Sequence, residues 1–328
     1  MANHRSALLS SVASTIADYR KGEISPPDAA HVETWINQFD TAVQDPILGE
    51  LDQVLKKTYI TKPEVETFLS SLVTNAKLAG ANPCDFWRNA NFLSIQGGGN
   101  SQREMLRMFD QTLQATCGLG IDQCGSADGP YIYLDDVVFT GNRVRNDMIG
   151  WLRSSAPAAA KAHVIVIAFH RGGQWYAKTK IDEACAAASK TLDINWWRCL
   201  EIEDRKSYVN NSDVLRPSSL PGDALTQAYV QGLKYQPVIR QGTSVGENKF
   251  FTSDAGRCLL EQEMLKAGLH IRSICPYLNA YQRPLGNMVL ESLGFGSLVV
   301  TFRNCPNNAP LALWAGDPWY PLFQRKTN

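Results

Sequence analysis

Apolar residues in the first eighty positions recur at spacings of three and four, the mark of helices that bury one face. The stretch "RSALLSSVASTIADYRKGE" carries the first such stripe. "SPPDAAHVETWINQFD" opens on Ser25 and two prolines, a helix start signal, and then aligns Val32, Trp35, Ile36 and Phe39. "PILGELDQVLKKTYI" and "TKPEVETFLSSLVTNAK" add two more, the latter with Pro63 near its start. These predict an N-terminal helical module over residues 1–80, serving as a scaffold or a partner-docking element.

The pattern changes near residue 81. Short apolar runs alternate with helix-like stretches: "NFLSI" before "SQREMLRMFDQTL", "YIYLDDVV" before "NRVRNDMIGWLRSS", "HVIVIAF" before "KIDEACAAASKTL", and then "INWWRCLEI". This alternation predicts a doubly wound parallel sheet in an α/β domain over residues 81–328, and such sheets bind ligands at the carboxyl ends of their strands. Residues 206–250 are rich in turn formers and weakly periodic, which predicts an insertion or cap over the sheet. The helix "TSDAGRCLLEQEMLKAGL", the strand "GSLVVTF", a turn rich in Pro and Asn and a Trp-rich tail follow. No repeat of fixed period is visible.

With 328 residues, 44% hydrophobic and 20% charged, the composition is that of an ordinary globular protein with a full core. Thirty-two basic residues balance thirty-two acidic ones, so bulk charge singles out no partner. The N-terminus lacks a sustained apolar run and no later run is long enough for a membrane span, which predicts a cytosolic protein. Cys84, Cys117, Cys124, Cys185, Cys199, Cys258, Cys275 and Cys305 are therefore expected to be free thiols. No zinc-ligand spacing occurs.

One stretch stands out for its chemistry. "YIYLDDVVFTGNRV" places Asp135 and Asp136 side by side at the end of an apolar strand. Adjacent carboxylates repel and are tolerated where a cation or a polyhydroxyl ligand shares them. "FTGNR" then leads into a helix, whose first amides and positive dipole end form a site for phosphate, with Gly141 letting the backbone curl closely around the anion. Carboxylates for ribose hydroxyls followed by an anion nest suit a sugar phosphate. The plainer reading is a buried strand stopped by a polar turn, with Thr140 as a helix cap.

The same stretch resembles the PRPP-binding signature of the type I phosphoribosyltransferase superfamily. By that likeness Asp135 and Asp136 act as the catalytic acidic pair, holding the ribose 2′- and 3′-hydroxyls directly or through Mg²⁺. Val137, Val138, Phe139, Thr140, Gly141, Asn142 and Arg143 would then form the ribose-phosphate loop. A second loop, in "LSIQGGGNSQREM", sits where the superfamily places a pyrophosphate loop. There Gly97, Gly98 and Gly99 would offer backbone amides, and Asn100, Ser101, Gln102 and Arg103 side-chain donors. A flexible turn is the equal alternative.

More widely, "ADYRKGEISPPDAAHVETWINQF", "RPLGNMVLESLGFGSLVVTFRNCPNNAPLALW" and "WYPLF" resemble the PRTase-CE family of prokaryotic conflict and antiphage defence systems, some of whose members are retron-associated. The resemblance implies a type I phosphoribosyltransferase-like, Rossmann-like parallel sheet and a defence effector. Its implied ligand is PRPP or a nucleotide, with ribosyl transfer or N-glycosidic cleavage at the anomeric carbon. Its implied partners are a defence-system protein, a reverse transcriptase with its RNA–DNA product, or further copies of the chain. A non-catalytic nucleotide sensor or structural subunit is the alternative. It is favoured by Phe139, which stands where purine-transferring relatives carry an acid, and by the lack of any basic residue in "TCGLGIDQCGSADGP".

Arg303, Asn304, Asn307 and Asn308 follow a predicted strand and would line the acceptor side of the same edge, or simply make a turn beside Pro306 and Pro310, with Trp314 and Trp319 in the core. His170 and Arg171, after "VIVIAF", read as a surface loop pair, and Trp196 and Trp197 as core.

Overall fold

The computed structural model describes residues 2–326. Its strands are β1 (Tyr59–Ile60), β2 (Asn91–Phe92), β3 (Tyr131–Val138), β4 (Ala159–His170), β5 (Thr191–Trp197), β6 (Leu200–Ile202), β7 (Gln282–Arg283), β8 (Gly286–Asn287) and β9 (Val300–Thr301). Its helices are α1 (Ala2–Thr15), α2 (Ala29–Ile36), α3 (Gln44–Thr58), α4 (Lys62–Val73), α5 (Ala76–Ala79), α6 (Pro83–Asn89), α7 (Ser101–Cys117), α8 (Asn142–Ser154), α9 (Arg171–Ala187), α10 (Ala224–Gln231), α11 (Asp254–Ile274) and α12 (Leu311–Trp314). Among the described residues no helix is long and apolar enough to cross a membrane.

The chain divides into two units, residues 63–202 and residues 1–62 with 203–328. Neither boundary falls at residue 80, where the helical module was expected to end. In the unit that holds both chain ends, α1 packs on α2 and α3, α3 on α11, and α11 on α10 and α12. Trp35, fully buried, donates its indole N–H to Ala312 O at 2.7 Å, and the Tyr19 hydroxyl accepts the Cys305 N–H at 3.0 Å. Periodicity tells which face of a helix is buried but not what covers it, and here the cover comes from the far end of the chain. The expected strand "GSLVVTF" contracts to β9, which pairs in parallel with β1, Tyr59 opposite Val300.

Residues 206–250 belong to this same unit and hold one regular helix, α10. Their weak periodicity has a physical counterpart in the fully buried Arg240. Its guanidinium donates to the main-chain oxygens of Arg216, Asn210 and Ser212 at 3.2, 2.9 and 2.8 Å. A cationic fork satisfying irregular backbone replaces an apolar stripe.

The other unit carries the sheet. Its order is β2-β3-β4-β5, all parallel, with β6 continuing along β4 beyond β5. Phe92 lies opposite Ile132, and Ile132 opposite His163, so these three share a face. Phe86 of α6 and Phe109 of α7 pack there, with ring centroids 5.9 Å from His163 and 5.7 Å from Phe92 respectively. On the opposite face Tyr131 meets Trp151 of α8 at 4.8 Å, and Tyr133, Val164, Met148 and Ile181 form one core with α8 and α9. Both faces are covered, so β4 reads as a near-continuous apolar run. Trp196 packs against this core, and the Trp197 indole N–H donates to the buried His163 at 3.0 Å.

The expectation of free thiols fails at one pair. Cys84 of α6 and Cys117 at the end of α7 form a disulfide, because the packing of these helices brings their Cα atoms to 5.4 Å. Cys124, Cys185, Cys199, Cys258, Cys275 and Cys305 are free.

Candidate functional site

The strand β3 ends at the site. Side chains alternate along a strand, so the adjacent carboxylates of Asp135 and Asp136 leave on opposite faces. Asp135 follows Tyr133 into the core and is 3% exposed, whereas Asp136 is partly exposed. Each carboxylate accepts the next amide: Asp136 N–H to Asp135 Oδ1 at 2.9 Å, and Val137 N–H to Asp136 Oδ1 at 2.7 Å. The pair is thus split by the pleat, with Asp135 buried and Asp136 partly exposed.

Burial, and then the charge of Asp136, push the Asp135 carboxyl well above the ordinary carboxylate range, against the Ser101 hydroxyl, which lowers it. A neighbouring phenol fits this picture. The Tyr133 hydroxyl lies 2.8 Å from Asp147 Oδ2 on α8 and 3.3 Å from Asp135 Oδ2. One phenolic proton serves one strong acceptor, and Asp147 is the nearer. The Asp135 contact is then satisfied when Asp135 carries a proton and donates to the Tyr133 oxygen. Burial also raises the Tyr133 and Asp147 values, the latter against the Tyr133 hydrogen bond and the Arg143 charge.

Val137 and Val138 are scaffold. Val138 is in the core with Val144 and Met148, and its carbonyl lies 3.1 Å from the Nδ1 of His170, which fixes the proton on that nitrogen. His170 is fully buried at the start of α9, not part of a surface loop as expected, and Arg171 donates Nε to Glu201 at 2.5 Å. The Phe139 ring rests against His170 at 5.0 Å. Gly141, at φ 76°, is the N-cap of α8. Asn142 Nδ2 donates to Thr140 Oγ1 at 3.2 Å, so Thr140 steadies the loop and is not the cap. No side chain caps α8, which leaves its first amides facing the loop without a side-chain acceptor among the described residues.

Arg143 joins the two loops. It is exposed, and its Nη2 lies 3.9 Å from where a β-carbon on Gly99 would stand. Gly97, Gly98, Gly99 and Asn100 are exposed between Leu93 and α7. The side chain of Gln102, read from sequence as a donor to ligand, is instead buried. Its Oε1 accepts Ile95 and Gln96 N–H at 2.8 and 2.9 Å, and its Nε2 reaches Leu134 O at 3.4 Å. Ser101 exchanges hydrogen bonds with Gln96, and Arg103 pairs with Asn100. Tyr133, Asp147, Gln96 and Gly173 went unnoticed in the sequence. Only Asp147, one polar position on a helix face that also carries Val144, Met148 and Trp151, left any trace there.

The acceptor-side candidates belong to the other unit. Arg303, Asn304, Asn307 and Asn308 follow β9, which pairs with β1 and not with the β3 sheet. They lie in the unit of residues 1–62 and 203–328. Asn304 takes the Lys326 N–H at 2.9 Å, Asn308 donates to Asn287 O at 2.9 Å, and Asn307 O accepts Asn287 N–H at 2.7 Å. The asparagines make turns, and Trp314 and Trp319 are core.

Among the described residues no group of three or more His, Cys, Asp or Glu side chains is arranged to hold a metal ion. Mg²⁺ needs fewer protein ligands than that, one or two carboxylates beside ligand oxygens. Burial is the larger cause of the raised Asp135 value; the second, the charge of Asp136, is of the kind a cation would relieve.

No curated protein and no solved structure matches the chain. The PRTase-CE family model matches residues 32–325, nearly the whole length, and the protein belongs to that family.

Proposed function

We propose that the protein binds a ribose-5-phosphate-bearing ligand, PRPP or a nucleotide, at the carboxyl edge of β3 and acts at its anomeric carbon as a cytosolic effector of prokaryotic defence. The observation that carries this reading is the uncapped start of α8 at Gly141, placed between the partly exposed Asp136 and the exposed Arg143, which faces Gly99 of the second loop. The α8 amides and Arg143 hold the 5′-phosphate, and Asp136 accepts from the ribose hydroxyls. Asp136, with Asp135 behind it, would hold Mg²⁺, which supplies neutralisation of pyrophosphate or of the ribose hydroxyl oxygens. The C1′ bond to pyrophosphate or base breaks, the leaving group departs with the bonding pair, and water or an acceptor nucleophile takes its place at C1′.

The second reading, a nucleotide sensor or a subunit of a defence complex such as a retron ribonucleoprotein, is favoured by Phe139. Its ring rests on His170 and offers no acid for a base proton.

Two measurements test the proposal. Titration of PRPP and nucleotides, with and without Mg²⁺, is expected to give binding that the Asp135→Asn/Asp136→Asn double variant abolishes with its fold intact; unchanged affinity in the double variant overturns the site. Mass spectrometry of PRPP and nucleotide pools in phage-challenged cells then separates the readings. Loss of one pool with the wild type alone identifies an enzyme and its substrate, and unchanged pools under protection identify a sensor.

A further inference from the structure

A cavity of about 380 Å³ lies in the unit of residues 1–62 and 203–328, a volume typical of small-ligand sites. Four segments wall it: Lys206 with Val209, Leu215–Pro217, Tyr235–Val238, and Met288 with Leu290–Gly294. Main-chain hydrogen bonds fix these walls. Leu215 N–H donates to Gly296 O at 2.8 Å, Arg240 N–H to Pro217 O at 3.1 Å, and Leu285 N–H to Leu293 O at 2.8 Å. The Tyr229 hydroxyl holds Ser292 O at 2.8 Å. The lining is mostly apolar, and Tyr235, Val238 and Leu290 are exposed at 60%, 43% and 53%. Apolar side chains left open around a fixed concavity are a feature of binding sites.

One charge inside it is incompletely used. Arg216 lines the cavity, and its Nη1 donates to Leu215 O and Phe295 O at 3.0 and 2.7 Å. Its Nε and Nη2 donate to no described residue, and no carboxylate among the described residues hydrogen-bonds its guanidinium. Glu261 is occupied elsewhere: it accepts the Arg216 main-chain N–H at 2.9 Å, and its side chain is shared by Arg240 and Arg257. Burial holds the Arg216 value below the ordinary guanidinium range, against the nearby charges of Asp204 and Glu261, which raise it. Lys206 and Glu291 also line the cavity, so with Arg216 the lining charge is one net positive.

We propose that this cavity is a second ligand site, taking a small molecule with an apolar body and one anionic head, the head on the open Nε and Nη2 donors of Arg216 and the body between Pro217, Val238 and Leu293. A guanidinium offers two parallel donors to a planar carboxylate or to phosphate, and the apolar walls supply contact area.

The test is calorimetric titration of the full chain with naphthalene-2-carboxylate, 2-naphthyl phosphate and the neutral 2-naphthalenemethanol. One of the two anions is expected to bind at one site per chain, at least tenfold tighter than the alcohol, and the tighter anion identifies the head group. Arg216→Gln is expected to erase the preference for the anion. Arg216 also braces two carbonyls, so Val238→Trp, which fills the mouth without touching them, is expected to weaken all binding at least tenfold. The Asp135→Asn/Asp136→Asn variant should bind as the wild type does, which separates this site from the β3 edge. No saturable binding, equal affinity for the alcohol, or wild-type affinity in Val238→Trp would overturn the proposal.

Discussion

Gly141 and Gly173 meet backbone to backbone: a β-carbon on Gly141 would stand 2.1 Å from Gly173 O, and one on Gly173 would stand 1.9 Å from Phe139 O. The loop that opens α8 is therefore seated on the first turn of α9. The glycine in "FTGNR" serves this seat whatever it does for a ligand. Gly173→Ala is expected to cost about 1–3 kcal/mol by overpacking. Gly141→Ala should cost more, because φ 76° adds the strain of a left-handed residue with a side chain. Gly150→Ala, in α8 with nothing within 4 Å, is the control and should be neutral or slightly stabilising. Urea denaturation of the three variants checks this, and equal midpoints for Gly150→Ala and Gly173→Ala would refute the seat.

Asp135 predicts a pH dependence of stability. Its carboxyl is pushed up to about 7 by burial and by Asp136, above its value in the unfolded chain. The folded state therefore holds the proton more tightly, so this contribution to stability is present in full below the ordinary value of 3.8 and is lost as pH rises from there through about 7. Asp135→Asn, which keeps the shape without the charge, should change little at about pH 5 and gain about 1–3 kcal/mol over the wild type at about pH 8. Chemical denaturation at both values measures the difference. A constant gap between the two proteins would mean that Asp135 is ionised throughout.

The Cys84–Cys117 bridge closes a loop with a sequence separation of 33 and ties α6 to the far end of α7. Loop-closure entropy puts its contribution at about 3–4 kcal/mol. Reductant should lower the melting temperature of the wild type and leave that of Cys84→Ser/Cys117→Ser unchanged. Because α7 starts at Ser101 beside the Gly97–Gly99 loop, amide exchange in that loop should quicken on reduction as well.

Glu261 is the anion in a fully buried cluster with Arg240 and Arg257. Glu261→Gln leaves both guanidinium groups without a buried counter-charge and should cost about 3–5 kcal/mol. Glu183→Gln, whose partner Lys180 is exposed beside it on α9, should cost no more than about 1 kcal/mol. Denaturant midpoints of the two variants give the comparison, and similar losses would contradict the buried assignment.

Secondary structure was largely legible in the sequence because its signal is local. The stripe Val32–Trp35–Ile36 is α2, "YIYLDDVV" is β3, and "NRVRNDMIGWLRS" is α8 to within a residue. Each rests on a period that neighbouring residues carry by themselves. "GSLVVTF" was read too long, since the strand itself runs only over Val300 and Thr301, opposite β1.

The pleat likewise decides from sequence alone that Asp135 and Asp136 must part. Which of them faces the core needs the position of α8, since Asp147 and Tyr133 come together only when that helix is packed. The sheet of the strand before the acceptor-side asparagines was not legible for a related reason: a strand is recognised by its own residues, but its sheet is chosen by a partner, and β9 pairs with β1 from more than 200 positions away. The sequence by itself determined the helices, the parallel strands and the acidic pair followed by a glycine turn. Tertiary structure decided what covers each apolar face, that Gln102 is a brace and not a donor, and that Arg143 and Gly99 face one another. Those outcomes depend on contacts between distant segments, and no local period encodes them.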